Sequence, residues 1–143
     1  NSGIFPVKYP YYPSDDHNKI SSAYAEIRLA EIYYSLAECK YRAGDKAGAA
    51  VLLNDVRARN YPPGSPSLYN PDGSQLTDQE MLDEWGREFL VENRRRTDLI
   101  RWGVFSTGTW WDKQPDADNH TDIFPIGQNV LNVSPQLKQN PGY

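Results

Sequence analysis

The chain is poor in the residue types from which cysteine- and histidine-based sites are built. Its 143 residues include one cysteine, Cys39, and two histidines, His17 and His120. A single cysteine excludes an internal disulfide and a metal site made of several thiolates. No apolar stretch approaches the ~20 residues that a helix needs to cross a bilayer. The start of the sequence does not resemble a signal peptide either, so we expect any targeting segment to lie outside these residues.

Basic residues are also in the minority. The chain has 15 lysines and arginines against 19 aspartates and glutamates, a net charge of −4. Non-specific binding to nucleic acid or to an anionic membrane needs a basic field, so this balance argues against both. The one dense basic run, Arg94–Arg96, is flanked by Glu92 and Asp98, which largely cancel its field. Aromatic residues are plentiful, which suits a protein whose rings are divided between a core and a contact surface.

Hydrophobic periodicity predicts a mainly α-helical fold, because apolar residues recur at three- and four-residue steps in several stretches. The predicted helices span about residues 22–43, 45–59 and 78–93, with a short one at 97–102. Residues 1–20 contain three prolines and are expected to be an extended or looped lead-in to a domain of residues 21–143. Residues 104–143 contain four prolines and no helical period. We therefore expect an irregular tail of loops and short strands that wraps the domain.

Capping residues set the expected helix ends. Ser22, or the serine before it, is the expected N-cap of the first helix, and Gly44 is its expected end. Asp45 is the expected N-cap of the second helix. Thr77 and Glu80 have the spacing of a capping box, in which the hydroxyl caps one amide and the carboxylate reaches back. The helix that they open places apolar residues on one face: Met81, Leu82, Trp85 and Phe89.

The first two helices fit the pattern of a tetratricopeptide (TPR) hairpin. The small residues Ala37 and Ala49 would let the helices approach closely, while Tyr33 and Leu53 would fill the flanks. Helical repeats bury their faces against neighbours, and about three are normally needed for stability. Only one is visible here. Either the third helix covers the open face, or further repeats precede residue 1.

Four passages of the chain follow one another in the order of one family's signatures. They are IRLAEIY at 27–33, LNDVRAR at 53–59, Glu84–Gly103, and the tail pair FPI at 124–126 with QNPGY at 139–143. Together they resemble the SusD/RagB family, the surface nutrient-binding lipoproteins of Bacteroidetes. Asn93 stands where the family usually has glycine, and asparagine tolerates the same left-handed backbone. Gly127 replaces a proline of the family's tail motif.

The resemblance implies a SusD-like α-fold and places the chain in the C-terminal portion of a longer protein. It implies a non-catalytic role in polysaccharide utilisation at the cell outer membrane, exposed on the cell surface. The expected partners are an oligosaccharide or other nutrient and a SusC-like TonB-dependent transporter. Membrane attachment would come only through an N-terminal lipid anchor that these residues do not include. No cofactor is implied.

Charged residues of these motifs are expected to be structural. They are Arg28, Glu31, Glu88, Glu92, Arg95, Asp98 and Arg101. From Glu88 onward they step at three- or four-residue intervals with opposite signs adjacent, which predicts a ladder of ion pairs across helical turns. Glu88 and Glu92 also admit a glycosidase hypothesis, since that chemistry needs two carboxyl groups. Arginines close to both would hold them ionised, which favours the structural interpretation.

An oxygen-rich stretch admits a calcium site as an alternative to a solvated loop. It contains Asp112, Asp116, Asp118, Asn119, His120 and Asp122, but lacks the central glycine and closing glutamate of the twelve-residue calcium loop. His17, beside Asp15 and Asp16, is expected to be a surface residue rather than a ligand. No metal site is predicted.

Two adjacent tryptophans are the best candidates for contact with a ligand. Trp110 and Trp111 lie among Gly, Thr and Asp residues in a turn-like segment, where both rings cannot easily be buried in one direction. An exposed ring could stack on the apolar face of a sugar, with Asp112 or Lys113 bonding to hydroxyls. Tyr69 is a second candidate. The alternatives are core packing of these rings and, for the whole protein, a helical-repeat scaffold that binds a protein partner without recognising sugars.

Overall fold

The computed structural model describes residues 8, 9, 12, 13 and 21–143. Its α-helices are α1 (Leu29–Arg42), α2 (Lys46–Arg57), α3 (Asp78–Glu88), α4 (Arg95–Arg101) and α5 (Gln128–Val133), with a 3-10 helix at His120–Asp122. The described part of the chain contains no β-strand, which confirms the mainly α fold. The chain forms two compact units, Asn1–Arg95 and Arg96–Tyr143. Most of the predicted lead-in, including His17, lies outside the described residues.

The helical hairpin of the first unit forms as its capping residues predict. Gly44 has a φ of +88°, its N–H bonds to the carbonyl of Tyr41, and the N–H of Asp45 bonds to that of Lys40. These two bonds form a Schellman motif, which satisfies the last carbonyls of α1. The Asp45 side chain then accepts from the Gly48 amide at 2.8 Å and caps α2. Ala37 and Ala49 are both fully buried, as expected for a close helix pair.

The predicted start of the first helix at residue 22 is wrong. Residues 21–28 are not helical, and α1 begins after Arg28, whose backbone is extended with φ −134° and ψ 156°. Ile27, the first residue of the predicted apolar stripe, is 74% exposed. The Arg28 guanidinium bonds to Glu88 and Glu92, which lie 60 and 64 residues away in the sequence. These tertiary contacts act on Arg28 and override the helical preference of the preceding residues.

Helix α3 has the predicted N-terminus and buried face but ends early. The Thr77 hydroxyl accepts from the Glu80 amide at 3.1 Å, and Met81, Leu82 and Trp85 are buried, as is Phe89 after the helix. The predicted second half of the capping box is wrong, because the Glu80 carboxylate accepts from the Tyr69 hydroxyl at 2.7 Å and also from Arg87.

The chain leaves α3 at Glu88 rather than near residue 93. Val91 and Asn93 take left-handed backbone conformations, with φ of 60° and 58°, and a helix cannot continue through such residues. The expectation that Asn93 adopts the backbone of a glycine is confirmed. For a β-branched residue such as Val91, the same conformation is strained by about 1–3 kcal/mol.

The loop between α2 and α3 is fastened to α2 at two points. The Asn54 side chain donates to the Tyr69 carbonyl at 2.9 Å and accepts from the Tyr69 amide at 2.8 Å. At the other end of α2, Gly73 passes so close to the main chain of Lys46 that a Cβ at position 73 would lie 2.2 Å from the Lys46 carbonyl oxygen. Lys46 also donates to the Leu76 carbonyl at 2.8 Å. The loop is therefore part of the folded unit.

The second unit is held together mainly by polar contacts with the main chain. The Gln139 side chain accepts from the Ile126 amide at 2.8 Å and donates to the Ile126 carbonyl at 2.9 Å. Asn140 donates to the Phe124 carbonyl at 2.7 Å, and the Tyr143 hydroxyl to the Ile123 carbonyl at 2.8 Å. The two tail motifs therefore bind each other. The tail is less irregular than predicted, because it contains the 3-10 helix and α5, and its only strand-like feature is the isolated bridge Trp110–Lys113.

Candidate functional site

An aromatic cluster lies at the centre of the first unit. The Tyr34 ring meets Trp85 and Phe89 edge to face, with centroid distances of 5.4 and 5.5 Å. Two guanidinium groups cover this cluster, Arg94 at 4.7 Å from the Trp85 ring and Arg28 at 4.3 Å from the Phe89 ring. The cluster joins α1 to α3, and the arginines carry charge to its edge.

Glu84 is one of the buried carboxylates of the unit, together with Glu38 and Glu92. Its side chain is 4% exposed and accepts from the Tyr34 hydroxyl at 2.6 Å, Arg57 Nη1 at 2.6 Å and Arg87 Nε at 2.8 Å. Burial by itself would raise the pKa of Glu84, but the Tyr34 hydrogen bond and the two arginines outweigh it and hold the pKa below its ordinary value. Burial and the neighbouring Glu84 raise the pKa of Tyr34. Glu84 therefore stays ionised and links α1, α2 and α3.

Glu88 and Glu92 form a second group around Arg28. Arg28 Nε bonds to Glu92 at 2.7 Å and Nη1 bonds to Glu88 at 2.5 Å. Glu92 also pairs with Lys8, and Glu88 accepts from Arg59 at 2.6 Å. Burial would raise the pKa of Glu92, but the bonds from Arg28 and Lys8 lower it below its ordinary value. We call these ten side chains the ion-pair network: Lys8, Arg28, Tyr34, Arg57, Arg59, Glu80, Glu84, Arg87, Glu88 and Glu92.

The predicted ladder of ion pairs along one helix is wrong in most of its connections. The chain turns at Val91 and Asn93, so Glu88 and Glu92 do not share a continuous helix with Arg95. Instead Arg95 donates to the Leu82 carbonyl at 2.7 Å. The remaining motif residues form separate pairs: Glu31 with Arg94, and Asp98 with Arg101 at 3.0 Å. The step from Asp98 to Arg101 thus forms as predicted, whereas Glu31, Glu88 and Glu92 bond to residues that are distant in the sequence.

Of the ten residues of the network, only Arg28, Glu88 and Glu92 were identified from the sequence as structural charges, and the others were not: Lys8, Tyr34, Arg57, Arg59, Glu80, Glu84 and Arg87. A usable signal was the four-residue spacing of carboxylates at 80, 84, 88 and 92, which points them to one side of a helix. No comparable signal exists for Tyr34 or Arg57, since both bond to Glu84, which lies 50 residues from Tyr34 and 27 residues from Arg57 in the sequence.

Tyr69 lies inside the network rather than on the surface. It is 7% exposed, the Arg57 guanidinium lies 4.5 Å from its ring centroid, and its hydroxyl donates to Glu80 and accepts from Arg57 and Arg87. Burial raises the pKa of this hydroxyl. No open ring face remains for a ligand, so Tyr69 has no part in the ligand site proposed below.

Trp110 and Trp111 lie in a tight turn of the second unit. The Trp110 and Lys113 main chains exchange two hydrogen bonds, of 3.1 and 3.0 Å, and Trp111 and Asp112 form the tip. The Trp110 ring is 39% exposed and has Lys113 Nζ 5.3 Å from its centroid. Trp111 is 94% exposed. The turn thus presents one indole ring fully to solvent and holds the other against the chain.

The acidic stretch after this turn is bonded within itself. Asp116 accepts from the Thr121 hydroxyl at 2.6 Å and pairs with Lys113 at 3.1 Å, and Asp118 accepts from the His120 amide at 2.9 Å. These bonds lower the pKa of Asp116 and Asp118. Within the described residues, no three His, Cys, Asp or Glu side chains gather into a group that could hold a metal ion.

The first unit has an open cleft beside the ion-pair network. Its volume is about 510 Å³. Its lining residues are Lys8, Arg28, Arg59, Asn60, Arg87, Glu88 and Leu90. A smaller recess of about 110 Å³ shares Asn60, Arg87 and Glu88 with it and adds the Tyr61 side chain. We call the larger space the cationic cleft.

The three arginines of the run at 94–96 do not form one basic patch. Arg94 and Arg95 bond to partners in the first unit. Arg96 donates to the Thr121 carbonyl at 2.8 Å, and the Phe124 ring centroid lies 3.9 Å from its guanidinium carbon. Arg94 pairs with Glu31 and Arg95 with Asp83, so carboxylates outside the flanking sequence offset part of the field of this run. No helix among the described residues is both long and apolar enough to cross a bilayer.

The chain matches the SusD family model over residues 1–143. It is 33% identical over 153 residues to the starch-binding protein SusD of Bacteroides thetaiotaomicron, an alignment that covers 99% of this chain and 26% of that protein. It is 29% identical over 126 residues to the SusD-like protein P25 of Formosa agariphila, covering 81% of this chain and 24% of that protein. The chain therefore spans about a quarter of the length of these curated relatives.

Proposed function

Because the chain belongs to the SusD family, we propose that it is part of a glycan-binding, nutrient-capturing protein that has no catalytic role. The protein would be held at the cell outer membrane by a lipid anchor and would deliver its ligand to a SusC-like TonB-dependent transporter. Family membership supports this assignment, and so does the name of one relative, which describes starch binding. The proposed ligand class is an oligosaccharide.

The observation that carries a ligand site on these residues is the exposure of Trp111. A side chain that is 94% exposed leaves a large apolar ring in water, at a free-energy cost that contact with a ligand would offset. The paired main-chain bonds of Trp110 and Lys113 hold the turn in place, so little order would be lost on binding. Asp112, at the tip of the same turn, could bond to sugar hydroxyls, whereas Lys113 is already paired with Asp116. The proposed contacts are therefore Trp111, with Trp110 at its side.

The bonds of Glu88 and Glu92 support a role without catalysis. A glycosidase needs one carboxyl group with a raised pKa to act as general acid. The pKa of Glu92 is lowered, and both carboxylates accept hydrogen bonds from Arg28. These two carboxylates therefore serve the fold in our proposal.

The test is calorimetric titration of the chain and of Trp111→Ala with neutral and acidic oligosaccharides of several linkage types. A few stacked rings give millimolar affinity, which corresponds to about −4 kcal/mol. Loss of one stacked ring should weaken binding about two- to twelvefold, since aromatic stacking contributes about 0.5–1.5 kcal/mol. The control is Val133→Ala, because Val133 is 80% exposed in the same unit but has no ring. Equal affinity in the parent chain and Trp111→Ala would refute the proposed site.

A row of exposed apolar side chains supports a second candidate function, the helical-repeat scaffold. Leu29, Ile32 and Leu36 follow one another along α1 with exposures of 71, 56 and 50%, and Val51 on α2 is 55% exposed. Such a row is suited to packing against another helix. A pure scaffold should ignore every glycan in the titration above while its Leu36→Glu variant loses a protein partner. Glycan binding that survives Leu36→Glu would favour the first candidate.

A further inference from the structure

The cationic cleft has more basic groups than its carboxylates can neutralise. Among the described residues that line it, four are cationic and one, Glu88, is acidic. The whole ion-pair network joins five cations to four carboxylates, a net charge of +1 in a chain whose net charge is −4. The cations are Lys8, Arg28, Arg57, Arg59 and Arg87, and the carboxylates are Glu80, Glu84, Glu88 and Glu92.

Glu88, which lines the cleft, and Glu92, which lies behind it in the ion-pair network, are already bonded to Lys8 and Arg28, which we call the inner cations. Glu92 accepts from Arg28 through both oxygens and from Lys8. Glu88 accepts from Arg28 and Arg59 through one oxygen, and its main-chain carbonyl accepts from Lys8 and Arg28. Every nitrogen of the Arg28 guanidinium donates at least one of these bonds, and its side chain is 22% exposed. The inner cations therefore leave little field for a ligand.

Arg59 and Arg87, which we call the outer cations, have half-exposed side chains and keep N–H donors that no carboxylate uses. Arg59 is held by the Val56 carbonyl through Nε and by Glu88 through one terminal nitrogen, and its side chain is 52% exposed. Arg87 donates through Nε to the Glu84 carboxylate and through Nη2 to the Glu80 carboxylate, and its side chain is 50% exposed. In the part of the chain that the structure describes, Nη1 of each guanidinium bonds to no acceptor. Two anchored guanidinium groups thus present free N–H donors to one cleft, a geometry suited to an oxyanion.

The walls of the cleft add groups that suit a sugar ring. Asn60 lines both the cleft and its side recess and has an amide that could bond to hydroxyls. The Tyr61 ring, 37% exposed, lines the recess, and Leu90, 59% exposed, lines the cleft. Next to Leu90, Val91 is held in its strained left-handed conformation. Strained backbone of this kind is concentrated at binding and catalytic sites. An aromatic ring, an amide and paired guanidinium groups together match a sugar that carries an anionic group.

We propose that the cationic cleft is a second carbohydrate subsite, in which Arg59 and Arg87 bind the oxyanion of an acidic sugar residue, with Asn60 and Tyr61 contacting its ring. The oxyanion is a uronate carboxylate or a sulfate ester, which share the geometry that a guanidinium recognises. This subsite rests on the proposed glycan-binding function. It lies in the first unit, whereas Trp111 lies in the second.

The test is calorimetric titration of the full chain with an oligogalacturonide and with the same oligosaccharide after reduction of its carboxyl groups to alcohols. A sulfated neutral oligosaccharide separates the two sources of the oxyanion, and an oligoglutamate peptide tests an acidic protein segment instead. Arg59→Gln removes an outer donor, and Arg59→Lys keeps the charge without the fork. The control is Arg42→Gln, because Arg42 is a half-exposed, ion-paired arginine of α1 that does not line the cleft. Circular dichroism checks that each variant is folded.

We expect the oligogalacturonide, the sulfated sugar or both to bind more tightly than the reduced sugar, with affinity that falls as salt is added. Arg59→Gln should weaken that binding about five- to tenfold, since a charge-assisted bond is partly lost, and Arg42→Gln should not. Arg59→Lys should recover part of the loss. Equal affinity for acidic and reduced sugars would overturn the subsite, and so would binding of the peptide alone. If neutral sugars bind through Trp111 and acidic sugars gain nothing, the proposed function stands and only this subsite fails; if no sugar binds, both fail.

Discussion

Removal of the charge on Glu84 should destabilise the first unit more than removal of any exposed carboxylate. In Glu84→Gln the 4% exposed side chain keeps its shape, but Arg57, with a side chain 15% exposed, loses its carboxylate partner. An arginine left buried without its counter-charge costs about 3–5 kcal/mol. The amide of the new glutamine can still accept a hydrogen bond from Tyr34, so we expect the free energy of unfolding to fall by about 3 kcal/mol, the lower end of that range. For a chain of this length the melting temperature should fall by about 6–12 °C.

Urea denaturation followed by circular dichroism measures this loss directly. The control is Asp83→Asn on the same helix, because the Asp83 side chain is 38% exposed and lies 3.4 Å from Arg95. This variant should lose less than about 1 kcal/mol of its free energy of unfolding. The double variant Glu84→Gln, Arg57→Gln should lose less than the two single variants together, since it leaves no unpaired charge. A loss in Glu84→Gln no larger than that in Asp83→Asn would refute the reasoning from burial.

Two further predictions concern acid and the tail. In the folded state the pKa values of Glu84 and Glu92 lie below their ordinary value of 4.5, so in acid these two carboxylates bind more protons in the unfolded chain than in the folded one. The stability that they contribute is present above about pH 4.5 and should be lost as the pH falls through the folded pKa values. A urea midpoint that stays constant from neutral to acid pH would contradict this prediction. Gln139→Ala should speed hydrogen exchange of the Ile126 amide about tenfold or more, since it loses hydrogen bonds of ~1 kcal/mol each, whereas Gln136→Ala, at an exposed position, should leave that rate unchanged.

Features that depend on neighbouring residues were predictable. Gly44, Asp45 and Thr77 act within four residues of their own positions, and each ends or begins a helix as predicted. The apolar face of α3 follows from helical spacing, and Met81 and Trp85 are buried as expected. The exposure of Trp111 was a hypothesis of the same local kind, because a turn of small and polar residues has little apolar surface to cover two rings.

Features that depend on distant partners were not predictable from the pattern. The extended backbone of Arg28 follows from bonds to Glu88, sixty positions away, and the burial of Tyr69 follows from the arginines around it. The family signatures name Arg28, Arg57 and Glu92 but do not say which pairs with which.

By itself, the amino-acid sequence determined that the chain is helical, where most of its helices are capped and which family it resembles, because each of these is encoded in residues a few positions apart. Only the tertiary structure decided that α1 begins at Leu29, that Glu84 is a buried charge and that Arg59 and Arg87 share one cleft. An ion pair depends on two side chains meeting in space, and the chain between them can take any path that brings them together.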